Sequence, residues 1–280
     1  MLSVLARTVP SPLQPRTALL AIVITVCVLG GLSWGAVTAL DYGDTLERAQ
    51  ADTRKAAELL AGHALTVLEP RAALVDRLAG RLQGRGLSAL AGEEALRDAL
   101  SAPAGTLAVV DAKGRTVFGP SVTVDGDGMV LLGALPAGSA AGEGPLLALE
   151  AGVDGVATMV LARRIAAPDG TPAGAVLGPV PAAALSAVLD VLGGGAGQAA
   201  GLYRPDGRRL IGGGPAAWAD GDGDRLWSWQ PVARLPLFAG VVEARAAVLA
   251  PWRERTTRGA VVVAVSVLAL LGLAAVGWRS

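Results

Sequence analysis

The sequence predicts an α+β fold in which a long helix leaves a membrane span, two small antiparallel sheet units follow in tandem, and a second span closes the chain. Three observations predict it. Thr17–Leu40 and Gly259–Trp278 are apolar runs without a charged side chain. The residues after the first run repeat apolar positions at helical spacing. Further on, two glycine-turn hairpins match one another position by position.

As a helix rising about 1.5 Å per residue, Thr17–Leu40 reaches about 36 Å, enough to cross a hydrocarbon core of about 30 Å with some tilt. The alternative is a cleaved signal peptide with Val37-Thr38-Ala39 at the cleavage site, but the apolar region is longer than the roughly 7–15 residues of such a leader. The first run therefore reads as an anchor. Arg7 and Arg16 precede it and Asp41, Asp44 and Glu47 follow it, so the positive-inside bias puts 1–16 in the cytoplasm and 41–258 outside. Arg253, Arg255 and Arg258 argue the other way; Arg279 agrees with the first span. Trp34, Trp252 and Trp278 fall near the expected interfaces, where an indole stays half wet. The predicted order is cytoplasmic 1–16, span 17–40, an outer region 41–258, span 259–278 and cytoplasmic 279–280.

Composition narrows the function. Lys+Arg and Asp+Glu are equal at 24 each with a pI near 6.6, so no basic field for nucleic acid exists. The basic residues are almost all Arg, Lys55 and Lys113 being the lysines, the usage expected of a GC-rich bacterial genome. Cys27 is the single cysteine and lies in the first span, which excludes an intrachain disulfide and a thiolate metal site.

Asp41–Pro70 reads as a helix continuing out of the membrane. Leu46, Ala49, Thr53, Ala56, Leu60, His63 and Val67 alternate spacings of three and four, a stripe that either forms a dimer seam or covers the chain's own sheet. His63, on that stripe, reads as a packed or hydrogen-bonded residue, because no second histidine completes a site. Pro70 marks a kink or the first turn of a second helix carrying Leu74, Leu78 and Leu82, ended by Gly84 and Gly86. A short helix over Glu93–Leu100 follows.

Leu107–Gly119 then reads as a β-hairpin around Asp111-Ala112-Lys113-Gly114. Ala200–Gly212 repeats it at an offset of 93 residues, from Gly114 to Gly207, aligning Val109 with Leu202, Val117 with Leu210, Phe118 with Ile211 and Gly119 with Gly212. An offset of that length is a domain repeat rather than a solenoid repeat, which divides the outer region into a distal unit over about 52–180 and a proximal unit over about 181–250. Met129–Leu135, Leu146–Leu149, Val156–Ile165 and Ala173–Val180 are further strands, and Pro181–Leu192 is a helix opened by proline and stopped by Gly193-Gly194-Gly195. Leu226–Ala233 and Leu237–Ala244 complete the second sheet. Arg245–Arg258 is expected to be helical as it enters the second span, with a kink or junction at Pro251.

Enzyme chemistry finds no support. One histidine and one membrane-buried cysteine exclude Ser-His-Asp, Cys-His and zinc constellations, and no glycine-rich phosphate loop ends in Lys-Ser or Lys-Thr. Asp220–Asp224 alternates carboxylates as a calcium loop does, but Arg225 replaces the turn glycine and Pro231 the bidentate Glu, so it and Asp125–Gly128 read as solvated turns. No catalytic residue, metal or cofactor is expected. The candidate ligand contacts are Arg163 and Arg164, adjacent on a strand and so on opposite faces, of which one can line a pocket. A guanidinium suits an anionic ligand by donating two parallel hydrogen bonds, while the alternative is that both make structural ion pairs, for example with Asp154 or Asp169. Gly31 and Gly35 form a GxxxG that lets two spans approach closely, as in a homodimer.

Val160–Val180, followed by a helix, by GLYRPDGRRLIGG and by VVEARAAVLAPWRERTTRG before a span, resembles the double Cache extracytoplasmic sensor of bacterial receptors, a pair of tandem PAS-like units. The resemblance implies a stalk helix, a distal unit that holds a small-molecule ligand, and a proximal unit that passes the change to the second span. Members that bind amino acids carry aromatic and basic residues after the first hairpin. Gly119–Gly155 has neither, so an amino acid is not the expected ligand. The output domain of such receptors is expected on a cytoplasmic partner or on a continuation of the chain. The competing expectation is a membrane-tethered periplasmic scaffold that docks a protein partner.

Overall fold

The computed structural model describes residues 15–83, 85, 87, 107–124, 147–153, 156–180, 182–215, 217 and 223–279. The chain divides into two compact units, Met1–Ala49 with Ala246–Ser280, and Gln50–Arg245. Helix α1 is Pro15–Leu82, a single element of 68 residues. Pro70 thus starts no second helix. Pro70 and Thr66 are both exposed, so the carbonyl that loses its donor four residues back faces solvent, and the helix continues. The last helix, Arg245–Arg279, likewise runs on through Pro251. Glu93–Leu100, Met129–Leu135, Gly84 and Gly86 lie outside the described residues, as do Asp125–Gly128 and most of Asp220–Asp224.

In the larger unit the first sheet has β1 (Ala108–Asp111), β2 (Thr116–Phe118), β3 (Val122–Val124), β4 (Leu147–Val153), β5 (Val156–Ala166) and β6 (Pro172–Pro179), in the order β2-β1-β6-β5-β4-β3. Helix α2, Ala182–Gly193, leads into the second sheet of β7 (Gln198–Tyr203), β8 (Arg209–Gly212), β9 (Arg225–Pro231) and β10 (Phe238–Ala244), in the order β8-β7-β10-β9. All recorded pairings are antiparallel. The second sheet repeats the first without β3 and β4. Of the strands, β3 is not anticipated from sequence: three residues are too few to show an alternation.

The hairpin repeat holds residue by residue. Val109 pairs with Phe118 and Leu202 with Ile211, and both ladders slip at the next residue, to Val110 with Thr116 and Tyr203 with Arg209. In each turn the first amide donates to the fifth carbonyl, Asp111 to Arg115 and Arg204 to Arg208, both at 2.9 Å. Gly119 and Gly212 close the two hairpins at φ of 91° and 98°. A Cβ there would stand 2.2 Å from the Leu107 carbonyl oxygen and 2.4 Å from that of Ala200. Gly119→Ala and Gly212→Ala are each expected to cost about 1–3 kcal/mol, from the left-handed backbone and the collision together, read as a fall in the urea midpoint of similar size for both.

The buried face of α1 covers both sheets. Ala57, Leu60, Ala64, Leu68, Ala72, Val75, Ala79 and Leu82 share one core with Val109, Met159, Leu161, Ile165 and Val176 of the first sheet and Ala200, Leu202, Ala239 and Val241 of the second. Of the two roles open to the stripe, covering the chain's own sheets is the one seen. The buried positions recur nearer every 3.6 residues than every 3.5, so Ala56, His63 and Val67 fall on its half-buried flank. Gly178 on β6 lets α1 come close, since a Cβ there would be 2.7 Å from Val75 Cγ2.

In the smaller unit, α1 and the last helix, α3 (Arg245–Arg279), each contain a segment long and apolar enough to cross a membrane. Leu29, Leu32, Val262 and Leu268 are exposed there, as lipid-facing residues are. Hydroxyls at Thr25, Thr38 and Ser266 donate to carbonyls four residues back, which satisfies them without water. Tyr42 and Trp252 meet edge to face at 5.2 Å, and Arg255 lies 3.9 Å from Asp41.

Candidate functional site

Leu65, Glu69, Ala72, Ala73 and Asp76 lie along one edge of the buried face of α1, at spacings that return to the same side every turn or two. With Arg163 of β5 and Arg234-Leu235-Pro236 of the β9–β10 turn they line an open cavity of about 530 Å³. Three parts of the fold therefore meet at one place: the long helix, the first sheet, and the turn that feeds the last strand.

Two ion pairs flank the cavity. Arg163 Nε stands 2.9 Å from Asp76 Oδ1, tying the first sheet to α1. Arg234 Nη1 donates to Glu69 Oε1 at 3.0 Å, tying the second sheet to α1 two turns away. The Arg163 side chain is 17% exposed and that of Arg234 is 81%, so the first pair sits in a lower dielectric and the second is screened by water. Arg234 is the one non-glycine among the described residues with positive φ, 63°. Val232 and Leu237 close its turn through the Val232 amide to the Leu237 carbonyl at 2.9 Å. The left-handed conformation costs free energy that a glycine would not incur, and it is kept at a residue whose side chain reaches α1.

Burial pushes the Asp76 carboxyl above its ordinary value of 3.8, with the Arg163 guanidinium pulling it back. A carboxyl with a raised folded pKa favours folding fully below the unfolded value and loses that contribution as pH rises through the folded one. Asp76→Asn is therefore expected to flatten the fall in stability as pH rises from about 3.8, measured as urea midpoints across that range.

Strand alternation separates the two predicted arginines. Arg163 shares its face with Leu161 and Ile165, toward α1, and Arg164 belongs to the opposite face with Val160 and Ala162, both fully buried. Of the structural ion pairs that stood as the alternative to ligand contact, Arg163 forms one, with a partner other than the two named from sequence. Arg163 meets Asp76, whereas the Asp169 carboxylate accepts from the Thr171 amide and hydroxyl at 2.9 and 2.6 Å within its own turn, and Asp154 lies outside the described residues. Sequence reading misses Glu69, Asp76 and Arg234. The local mark they leave is a pair of acidic residues at the edge of an apolar stripe, which does not encode the arginines that packing brings to them.

His63 is half-buried, its Nε2 3.3 Å from the Ala184 carbonyl, so it bridges α1 to α2. Among the described residues no group of three or more His, Cys, Asp or Glu could hold a metal ion.

No protein-family model matches the chain, and no curated protein matches it either. Solved structures are similar to it. One is the ligand-binding domain of the Pseudomonas fluorescens chemoreceptor CtaA in complex with L-isoleucine, at 16% identity and a TM-score of 0.49, covering 75% of this chain and 98% of that one. Another is the ligand-binding domain of the Pseudomonas aeruginosa PAO1 amino acid chemoreceptor PctB with L-Arg, at 18% identity and 0.48, covering 73% and 98%. A third is the extracellular domain of rpHK1S-Z16, named as a histidine kinase, at 20% identity and 0.48, covering 74% and 99%.

Proposed function

We propose that the chain is a membrane-anchored extracytoplasmic sensor module of the double Cache kind, binding a small anionic molecule in the cavity of Arg163 and Arg234 and passing the change to α3. One observation carries this reading. The cavity wall includes both segments of the larger unit that continue directly into the apolar helices: α1 itself, and the turn whose strand β10 ends at Ala244 with α3 starting at Arg245. No flexible linker intervenes. An anion entering the cavity competes with Glu69 and Asp76 for the guanidiniums, which loosens the ties between α1 and each sheet. A ligand shifts such an equilibrium only by its differential affinity for the two arrangements, and exchange of ion-pair partners supplies that difference.

The test is calorimetric titration of the full chain in nanodiscs against a panel of di- and tricarboxylic acids, phosphate and amino acids. Saturable binding of an organic acid is the expected result, and no binding by any anion would remove the reading. In the proposed topology 41–258 is periplasmic, so alkaline phosphatase fused after Gly138 is active; an inactive fusion there contradicts it.

The working form in this reading is a homodimer. Among the described residues nothing lies within 4 Å of a Cβ built on Gly31 or Gly35, so neither glycine packs against them. Replacing both with Ile is expected to weaken span association in a membrane dimerisation reporter while leaving insertion intact. Unchanged association removes these glycines from the interface.

A further inference from the structure

A second cavity lies in the other half of the larger unit, under α2. It measures about 410 Å³ and is lined by Ser186, Leu189 and Asp190 of α2, by Gly193-Gly194 at the helix end, and by Ala199-Ala200 and Ile211–Gly213 of β7, β8 and the residue after it. Its floor is made of glycine and alanine, with Leu189 and Ile211 as apolar walls.

Among the described residues that line this cavity, the polar side chains are acidic or neutral, Asp190 and Ser186. The C-terminal end of a 12-residue helix opens at Gly193-Gly194, where carbonyl groups lack intrahelical donors and the helix dipole amounts to about half a negative charge. Asp190 lines the cavity from α2, is exposed to solvent, and has no ion-pair partner among the described residues. Ser186 adds a hydroxyl, which donates to the Ala183 carbonyl at 3.3 Å and leaves its lone pairs as acceptors. No Lys or Arg is among its described lining residues. The first cavity, by contrast, carries two guanidiniums.

We propose that this cavity is a second binding site, taking a small organic cation with an apolar body, an aliphatic ammonium. The charged head is held by Asp190 and the helix carbonyls, which act as acceptors for its N–H donors. The chain of methylenes lies along Leu189 and Ile211. The volume accommodates a few carbon atoms and no folded partner. The site is chemically opposite to the anion cavity, and it stands whether or not that cavity binds an anion.

The test uses the full chain in nanodiscs, titrated calorimetrically with butylammonium and, separately, with 1-butanol, its neutral counterpart. Saturable binding of butylammonium and at least tenfold weaker binding of 1-butanol is the expected result. Asp190→Asn should weaken butylammonium at least tenfold and leave 1-butanol unchanged. Gly213→Leu fills the cavity from the floor, where a Cβ meets only ordinary contact with Ala199 Cβ at 3.4 Å, and should weaken both probes. Circular dichroism and the melting midpoint of each variant show whether it is folded; if Gly213→Leu is not, Ser186→Leu from the opposite wall replaces it. Absence of saturable butylammonium binding, equal binding of the two probes, or an unchanged affinity in Asp190→Asn each overturns the proposal.

Discussion

Arg163→Ala is expected to weaken binding of an organic acid by about 30- to 5,000-fold, the equivalent of roughly 2–5 kcal/mol when one partner of a largely desolvated charge pair is removed. Arg164→Ala should change it little. The contrast follows from the strand: one guanidinium faces α1 and the cavity, and the other belongs to the opposite face of the sheet. Arg163→Ala also leaves Asp76 without its counter-charge, so the stability of the ligand-free protein is measured beside the affinity. Titration of both variants on the strongest acid of the panel decides the point. Equal, small effects of the two substitutions would move the anion away from β5.

Leu68→Ala is expected to destabilise the larger unit by about 2–5 kcal/mol, because a fully buried side chain is removed and the helix and two sheets close only partly over the space. Leu59→Ala, on the solvent side of the same helix where the side chain is 68% exposed, is the control and should change stability by less than about 0.5 kcal/mol in urea unfolding. A loss at Leu68 no greater than at Leu59 would mean that α1 does not cover the sheets.

The hairpin glycines and the acidic residues of the cavity differ in how much of their role a sequence can carry. Gly114 and Gly207 are legible because a tight hairpin writes its requirements locally: the turn, the slip and the closing glycine all fall within a dozen residues, and the repeat makes each copy a check on the other. The face of α1 is legible for the same reason, although a period of 3.5 drifts off the buried positions by one. Pro70 admits a second helix that is not there, because proline reports what its ring forbids and not whether water can take over the freed carbonyl. Asp76 and Glu69 are not legible as site residues. Their partners, Arg163 and Arg234, are brought to them by the packing of two sheets on one helix, and no spacing in the chain encodes that meeting.

If occupancy of the cavity rearranges the membrane helices, a cysteine placed at Val262, an exposed position of α3, reports it through the rate of cross-linking between copies in a Cys27→Ser background. The chain is held in nanodiscs with and without the strongest-binding acid. The proposed mechanism predicts a cross-linking rate that changes at least threefold on ligand binding in the parent and does not change in the Arg163→Ala variant. An identical rate with the ligand demonstrably bound would contradict it.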